Sequence, residues 1–230
     1  MADEDSWREG RLLARPGDRC RTARSPGPGT SPLGLRRGRD GLLRVPASLR
    51  SPVPLLVMLH GAGGTAAQAL SLVAGCAERD QVLVLAPESE GGTWDVIRDE
   101  YGPDVGFIDR ALERVFASFD VDANRIAVGG FSDGASYALS IGIGNGGLIR
   151  DILAFSPGFA APTQAEGAPR VFISHGTEDR VLPIDRCSRR LAPALRAAGY
   201  DLDYREFNGG HVVPVEMVEA AFARFLGQGG

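Results

Sequence analysis

The sequence predicts an α/β fold, a mostly parallel central sheet flanked by helices on both faces. Short apolar runs alternate with longer stretches whose apolar residues recur at three-to-four spacing, the pattern of strands and crossover helices. The chain has 230 residues, 43% of them hydrophobic, enough to bury one sizeable core. With neither an internal repeat nor a linker, the expected organisation is one domain over residues 1–230, residues 1–8 being disordered or loosely attached.

Residues 10–15 and 41–46 read as early strands. The Pro-, Gly- and Arg-rich connection at 16–40 has no helical periodicity, which predicts a long loop or irregular hairpin. Further strands are expected at 54–59, 82–86, 125–129, 151–155, 171–174 and 202–207. Helices are expected at 65–79, 105–119, 134–143, 183–198 and 214–226.

Composition narrows the partners. The longest apolar runs, at 54–59 and 82–86, fall well short of the roughly 20 residues a membrane-spanning helix needs. The opening MADEDSWREG is acidic and polar where an export signal is basic and then apolar, so a cytoplasmic protein without a membrane partner is expected. Cys20, Cys76 and Cys187 are odd in number and far apart, as ordinary free thiols would be. All 25 basic residues are arginine and 11 lie in the first 50 positions, yet the chain is net acidic and has no nucleic-acid-binding motif. A solvated hairpin is expected there and no nucleic-acid partner. The oligomeric state is left open, a homodimer included.

The most informative stretch is IAVGGFSDGASYALSIG at 126–142, an apolar strand running into a small-residue helix through Gly130, Ser132 and Gly134. G-x-S-x-G in that context places a serine on a sharp strand-to-helix turn, where crowding is relieved only if the flanking residues lack side chains. The turn lifts the hydroxyl above the sheet and aims the free N–H groups of the helix N-terminus at a reacting carbonyl. A bare Gly/Ser turn is the bland alternative, and the strand-to-helix setting argues against it.

A serine hydroxyl needs a base, and the chain offers His60, His175 and His211. Acid and then histidine follow the serine in elbows of this kind, which excludes His60. Between Ser132 and His175 the acidic residues are Asp133, Asp151 and Glu166, none well placed to orient a base. His211 lies in a Gly-Gly turn between the last strand and the last helix and is the predicted base. Asp179, just past the carboxyl end of the 171–174 strand, is the predicted acid, with Glu178 its nearest rival and Asp185 a weaker one. His175 is expected to be a packed or hydrogen-bonded structural residue.

VMLHGAGG at 57–64 is a strand emptying into a Gly-rich loop. Its backbone N–H groups can face a developing oxyanion, and the two donors are assigned to Ala62 and Asp133. A P-loop is excluded, because the loop lacks both G-x-G-x-x-G and the Lys-Ser/Thr ending and the chain contains no lysine. Gly61 and Trp94, the latter just past another strand end, are the expected substrate-binding residues.

HGAGG, GFSDG, HGTEDRVLP and GGH, in this order and spacing, resemble the α/β-hydrolase superfamily. Within it the chain resembles the phospholipase/carboxylesterase family and the related polyhydroxybutyrate depolymerase and feruloyl esterase-like proteins. The resemblance runs from about Gly41 onward. It implies hydrolysis of carboxylic esters with no cofactor, a triad of Ser132, Asp179 and His211, and an oxyanion donor just after His60-Gly61. Two departures bear on subgroup: the export signals and disulfides of secreted depolymerases are not expected here, and acyl-protein thioesterases tend to carry glutamine where this chain has Asp133.

The stretch at 141–169 is too short for a large lid, so an open site taking small-molecule esters, small or short-acyl, is expected. A serine peptidase or thioesterase would use the same triad, and a non-catalytic binding module could use the same scaffold. A metal-dependent hydrolase is disfavoured, because the three dispersed histidines show no ligand spacing.

Overall fold

The computed structural model describes residues 2–17, 25–98 and 100–228. Helix α1 (Ala2–Arg8) is followed by β1 (Gly29–Pro32), β2 (Gly41–Val45), β3 (Val53–Leu59), α2 (Ala66–Arg79) and β4 (Leu83–Pro87). Then come α3 (Asp95–Arg98), α4 (Pro103–Ser118), β5 (Val121–Phe131), α5 (Asp133–Gly144), β6 (Asp151–Phe155) and β7 (Arg170–Gly176). The chain closes with α6 (Ser188–Ala197), β8 (Leu202–Phe207) and α7 (Val215–Leu226).

The eight strands form one sheet in the order β1-β2-β4-β3-β5-β6-β7-β8. β1 and β2 pair antiparallel with their neighbours, and β4-β3-β5-β6-β7-β8 are parallel throughout. β3 reads VPLLVML and is buried at every position, as a central strand covered on both faces must be. Leu55, Val57 and Leu59 join a core with α4 and α5, while Leu56 and Met58 face α2 and α7 in a second core. The side-chain period of two thus splits one strand between two hydrophobic layers.

Local chemistry sets the helix boundaries. Thr65 caps α2 through a reciprocal pair: the Gln68 N–H donates to Thr65 Oγ1 at 3.3 Å and the Thr65 N–H to Gln68 Oε1 at 3.0 Å. Pro103 opens α4, and Gly227 ends α7 at φ 68°.

Three expectations need correction. Residues 10–15 are not a strand: the N–H groups of Gly10 and Arg11 close back on Trp7 O and Ser6 O at 3.0 Å, and the next three go to side chains, Leu12 to Asn145 Oδ1 at 2.7 Å, Leu13 and Ala14 to Asp109 Oδ1 at 2.8 Å. Residues 2–8, expected to be loosely attached, form α1. Trp7 donates to Asp109 Oδ2 at 3.0 Å and packs over Gly106 of α4, where any Cβ would lie 2.7 Å from the indole. The helix expected over 183–198 is broken, since Cys187 (φ −114°, ψ −103°) separates a 3₁₀ turn at Ile184–Arg186 from α6. The short helix α3 was not anticipated. Within 16–40, β1 pairs with β2 as one arm of a hairpin. Cys76 and Cys187 are free and buried, and Cys20 lies outside the described residues. Among the described residues, no helix is long and apolar enough to cross a membrane.

Candidate active site at the carboxyl edge of the sheet

β5 delivers the chain to Ser132, which sits at φ 58°, ψ −120° between the end of the strand and the first residue of α5. Such dihedrals are sparsely populated by residues with a side chain and cost of order 1–3 kcal/mol, so the surroundings must impose them. The flanking glycines show how. A Cβ on Gly130 would lie 2.2 Å from the Gly134 carbonyl oxygen, and one on Gly134 would lie 2.4 Å from that of Leu59. Backbone therefore closes on backbone on either side of the serine. Its own N–H donates to Phe155 O at 2.9 Å, tying the turn to β6.

Ser132 is largely buried but reachable, and its Oγ lies 2.9 Å from His211 Nε2. His211 Nδ1 lies 2.6 Å from Asp179 Oδ2, a short distance typical of charge-assisted bonds. With the carboxylate able only to accept, Nδ1–H donates to Asp179 and leaves Nε2 to accept from the serine hydroxyl. His211 is held laterally by Phe131, ring centroids 4.6 Å apart. Asp179 Oδ1 accepts the N–H groups of Val181 and Leu182 at 2.9 and 2.8 Å. Burial pushes the Asp179 carboxyl upward, but the His211 contact and these two N–H groups outweigh it, and its pKa falls below the ordinary aspartate value. The structure thus brings together the three residues the sequence singled out, from loops after β5, β7 and β8. Glu178 and Asp185 make no such contact with His211.

His175 is fully buried in β7 with both nitrogens occupied. Nε2–H faces Leu182 O at 2.8 Å and Asp179 Oδ2 at 3.2 Å, and Nδ1 accepts from Ser188 Oγ at 2.6 Å. Burial lowers its pKa from the usual histidine value. His60 is likewise buried and lowered in pKa for the same reason. It accepts the Ser89 N–H at Nε2 (3.1 Å) and donates from Nδ1 to Gly61 O (2.7 Å), stiffening the Gly-rich loop.

That loop stands against the elbow: a Cβ on Gly61 would lie 3.3 Å from Ser132 Cβ. Ala62 follows on its exposed side, and Asp133, as the first residue of α5, has an N–H with no acceptor inside the helix. Trp94, expected to line the pocket, is instead fully buried; it donates from Nε1 to His60 O at 2.8 Å and stacks on Tyr137 of α5. Its ring lies beneath the Gly-rich loop, because the turn before α3 folds inward.

Sequence inspection missed Thr93 and Phe131. Thr93 Oγ1 donates to Asp133 Oδ2 at 2.6 Å. The available signal was position alone: Thr93 sits in a Gly-rich turn past a strand end, on the edge that carries Ser132.

The family model described as phospholipase/carboxylesterase matches residues 105–226, more than half of the chain. The chain belongs to that family. The matched region of this phospholipase/carboxylesterase family member contains Ser132, Asp179 and His211, while the Gly-rich loop lies before it. Acyl-protein thioesterase 1 of Gibberella zeae is 33% identical over 112 residues, covering 44% of this chain and 47% of that protein. The match therefore spans just under half of the relative's length. Among solved structures, esterase PE8 aligns at TM-score 0.64 and 22% identity, covering 90% of this chain and 99% of its own. Esterase 2 of Thermogutta terrifontis aligns at 0.67 and 17%, covering 90% and 97%. A truncated carbohydrate esterase from gut microbiota aligns at 0.69 and 12%, covering 94% and 99%. At these identities the likeness is one of fold, the α/β-hydrolase fold, here without a large lid domain.

Proposed function

We propose that this protein is a serine carboxylesterase that hydrolyses small or short-acyl esters through an acyl-enzyme on Ser132. The observation that carries the proposal is the continuous chain Ser132 Oγ, His211 Nε2, His211 Nδ1, Asp179 Oδ2, at 2.9 and 2.6 Å, mounted on a strained elbow. His211 takes the Ser132 proton, the oxygen attacks the ester carbonyl, and the tetrahedral oxyanion is held by the N–H groups of Ala62 and Asp133. The protonated imidazole gives its proton to the departing alcohol. Asp179 stays ionised, fixes the tautomer and stabilises the imidazolium; water activated by the same ring then releases the acid. Gly61 lets the oxyanion loop approach Ser132 without a side chain in the way.

The preference for small acyl groups rests on the lidless edge and on the apolar rim beside the triad. Val181, two residues after Asp179, and Val212, next to His211, are 65% and 53% exposed, offering contact to a modest acyl group. A thioester substrate is a second reading, favoured by the similarity to acyl-protein thioesterase 1; it uses the same acyl-enzyme.

The test is hydrolysis of p-nitrophenyl acetate, butyrate, octanoate and palmitate, with an acyl thioester in parallel, by wild type and Ser132→Ala. The expected result is fastest turnover of the short esters and a loss on the order of a millionfold in the variant. Near-normal activity of Ser132→Ala would refute the nucleophile, and faster palmitate than butyrate turnover would refute the chain-length preference.

A further inference from the structure

Three consecutive residues between β4 and α3 each grip a different part of the oxyanion turn. Gly92 O accepts the Gly63 N–H at 2.6 Å, Thr93 Oγ1 donates to Asp133 Oδ2 at 2.6 Å, and Trp94 Nε1 donates to His60 O at 2.8 Å. Gly63 and His60 flank the Gly61-Ala62 peptide, whose N–H is the first proposed donor. Asp133 supplies the second. Those two donors come from segments about 70 residues apart in sequence, and one tripeptide spans both.

The tripeptide is itself held firmly. Asp104 accepts the N–H groups of Glu90 at 2.6 Å and Asp95 at 2.8 Å; Asp95 accepts those of Val96, Gly102 and Asp104 at 2.7, 2.9 and 3.0 Å. Both carboxylates are buried, and burial raises the Asp104 pKa to about 6. Keeping two acidic side chains beside each other in the interior is costly, so their five backbone contacts tie the loop into one stiff unit. Trp94 adds a wedge between His60 (centroids 4.8 Å) and Tyr137 (5.1 Å).

We infer that Gly92-Thr93-Trp94 is a clasp that sets the spacing of the two oxyanion donors, with Thr93 and Trp94 as positioning residues for the reaction. The inference rests on the serine-esterase reading of the site. The hydrogen bonds and ring contacts with which the clasp grips the turn go to Gly63, Asp133, His60 and Tyr137 and not to Ser132 or His211, so loosening it leaves the base in place and lets the donors drift from where the oxyanion forms. Removing a whole oxyanion donor costs about 10²–10³ in kcat, and misplacing one costs less.

The experiment compares wild type, Thr93→Val, Thr93→Ser, Trp94→Phe and Ser132→Ala on p-nitrophenyl butyrate, with melting temperatures and the inhibition constant of an alkyl boronic acid, a tetrahedral mimic. Thr93→Val, which keeps the shape and removes the donor, is expected to lower kcat about ten- to a hundredfold with KM within about twofold, and to weaken boronate binding in step. Thr93→Ser is expected to restore both. Trp94→Phe, retaining an aromatic wedge without the N–H, is expected to show the same kcat-only loss. Wild-type kcat and boronate affinity in a folded Thr93→Val or Trp94→Phe would overturn the clasp while leaving the esterase intact. Hydrolysis that persists in Ser132→Ala would overturn both.

Discussion

Two histidines approach the same oxygen of Asp179 and live in opposite environments. His211 stands on a Gly-Gly turn at the rim, 2.6 Å from Oδ2, with its other nitrogen on the Ser132 hydroxyl. His175 is sealed within β7, 3.2 Å from the same oxygen, with its other nitrogen on Ser188. Identical side chains beside one carboxylate are thus separated in role by what the second nitrogen meets. At the rim it meets a group that can react; in the interior it meets one that completes a hydrogen-bond network. On the proposed reading, nearness to the acid alone does not make a base.

The sharpest way to break this pairing is Asp179→Asn, which alters both partners. Kinetics on p-nitrophenyl butyrate should show a loss of about 10⁴ in kcat, because an amide no longer holds the His211 tautomer; a loss under tenfold would mean that Asp179 does not orient the base. The next change, His175→Gln, should separate the two histidines. Activity is expected to fall by less than about tenfold while the fold loses about 1–3 kcal/mol, read by denaturant titration, since two buried hydrogen bonds are disturbed. An activity loss as large as that of Asp179→Asn would erase the distinction.

The smallest effect is in pH dependence. Burial holds the His175 pKa below the usual 6.5, so the unfolded chain binds this proton more readily than the folded one. The stability His175 contributes is then fully present above about pH 6.5 and diminishes as pH falls below it, toward the lower folded pKa. Asp104, raised to about 6, works in the opposite direction between the ordinary aspartate value and 6. For that reason the measurement is the stability difference between wild type and His175→Gln at each pH, in which Asp104 cancels. The difference should shrink from pH 7.5 toward pH 5, and a constant difference would refute a buried neutral His175.

The legibility of the sequence follows the same division between interior and edge. Strands β3 to β7 announce themselves because burial on both faces demands apolar runs such as LLVML and ILAF. β1 reads GTSP and carries no such signal, since an antiparallel edge strand is defined by its partner. Residues 10–15 look like a strand because extended backbone and apolar residues are shared by strands and straps. What distinguishes them is that their acceptors, Asp109 and Asn145, lie about a hundred residues away. Ser132, Asp179 and His211 were legible because each follows a strand end within glycine-rich punctuation. Trp94 was misjudged because no local pattern says whether a turn folds inward or outward, and Thr93 was missed because its partner, Asp133, becomes a neighbour only through the sheet.

The chain's two tryptophans are placed so that each lights a different region. Trp7 is half-buried on α4, with the Arg110 guanidinium over its ring, whereas Trp94 is wholly enclosed between His60 and Tyr137. In a Trp7→Phe protein the whole indole emission would arise beneath the Gly-rich loop. Under the proposed clasp, the molecule then carries its own fluorophore beside the two oxyanion donors, so that a rearrangement there on ligand binding would be followed by light without attaching a dye.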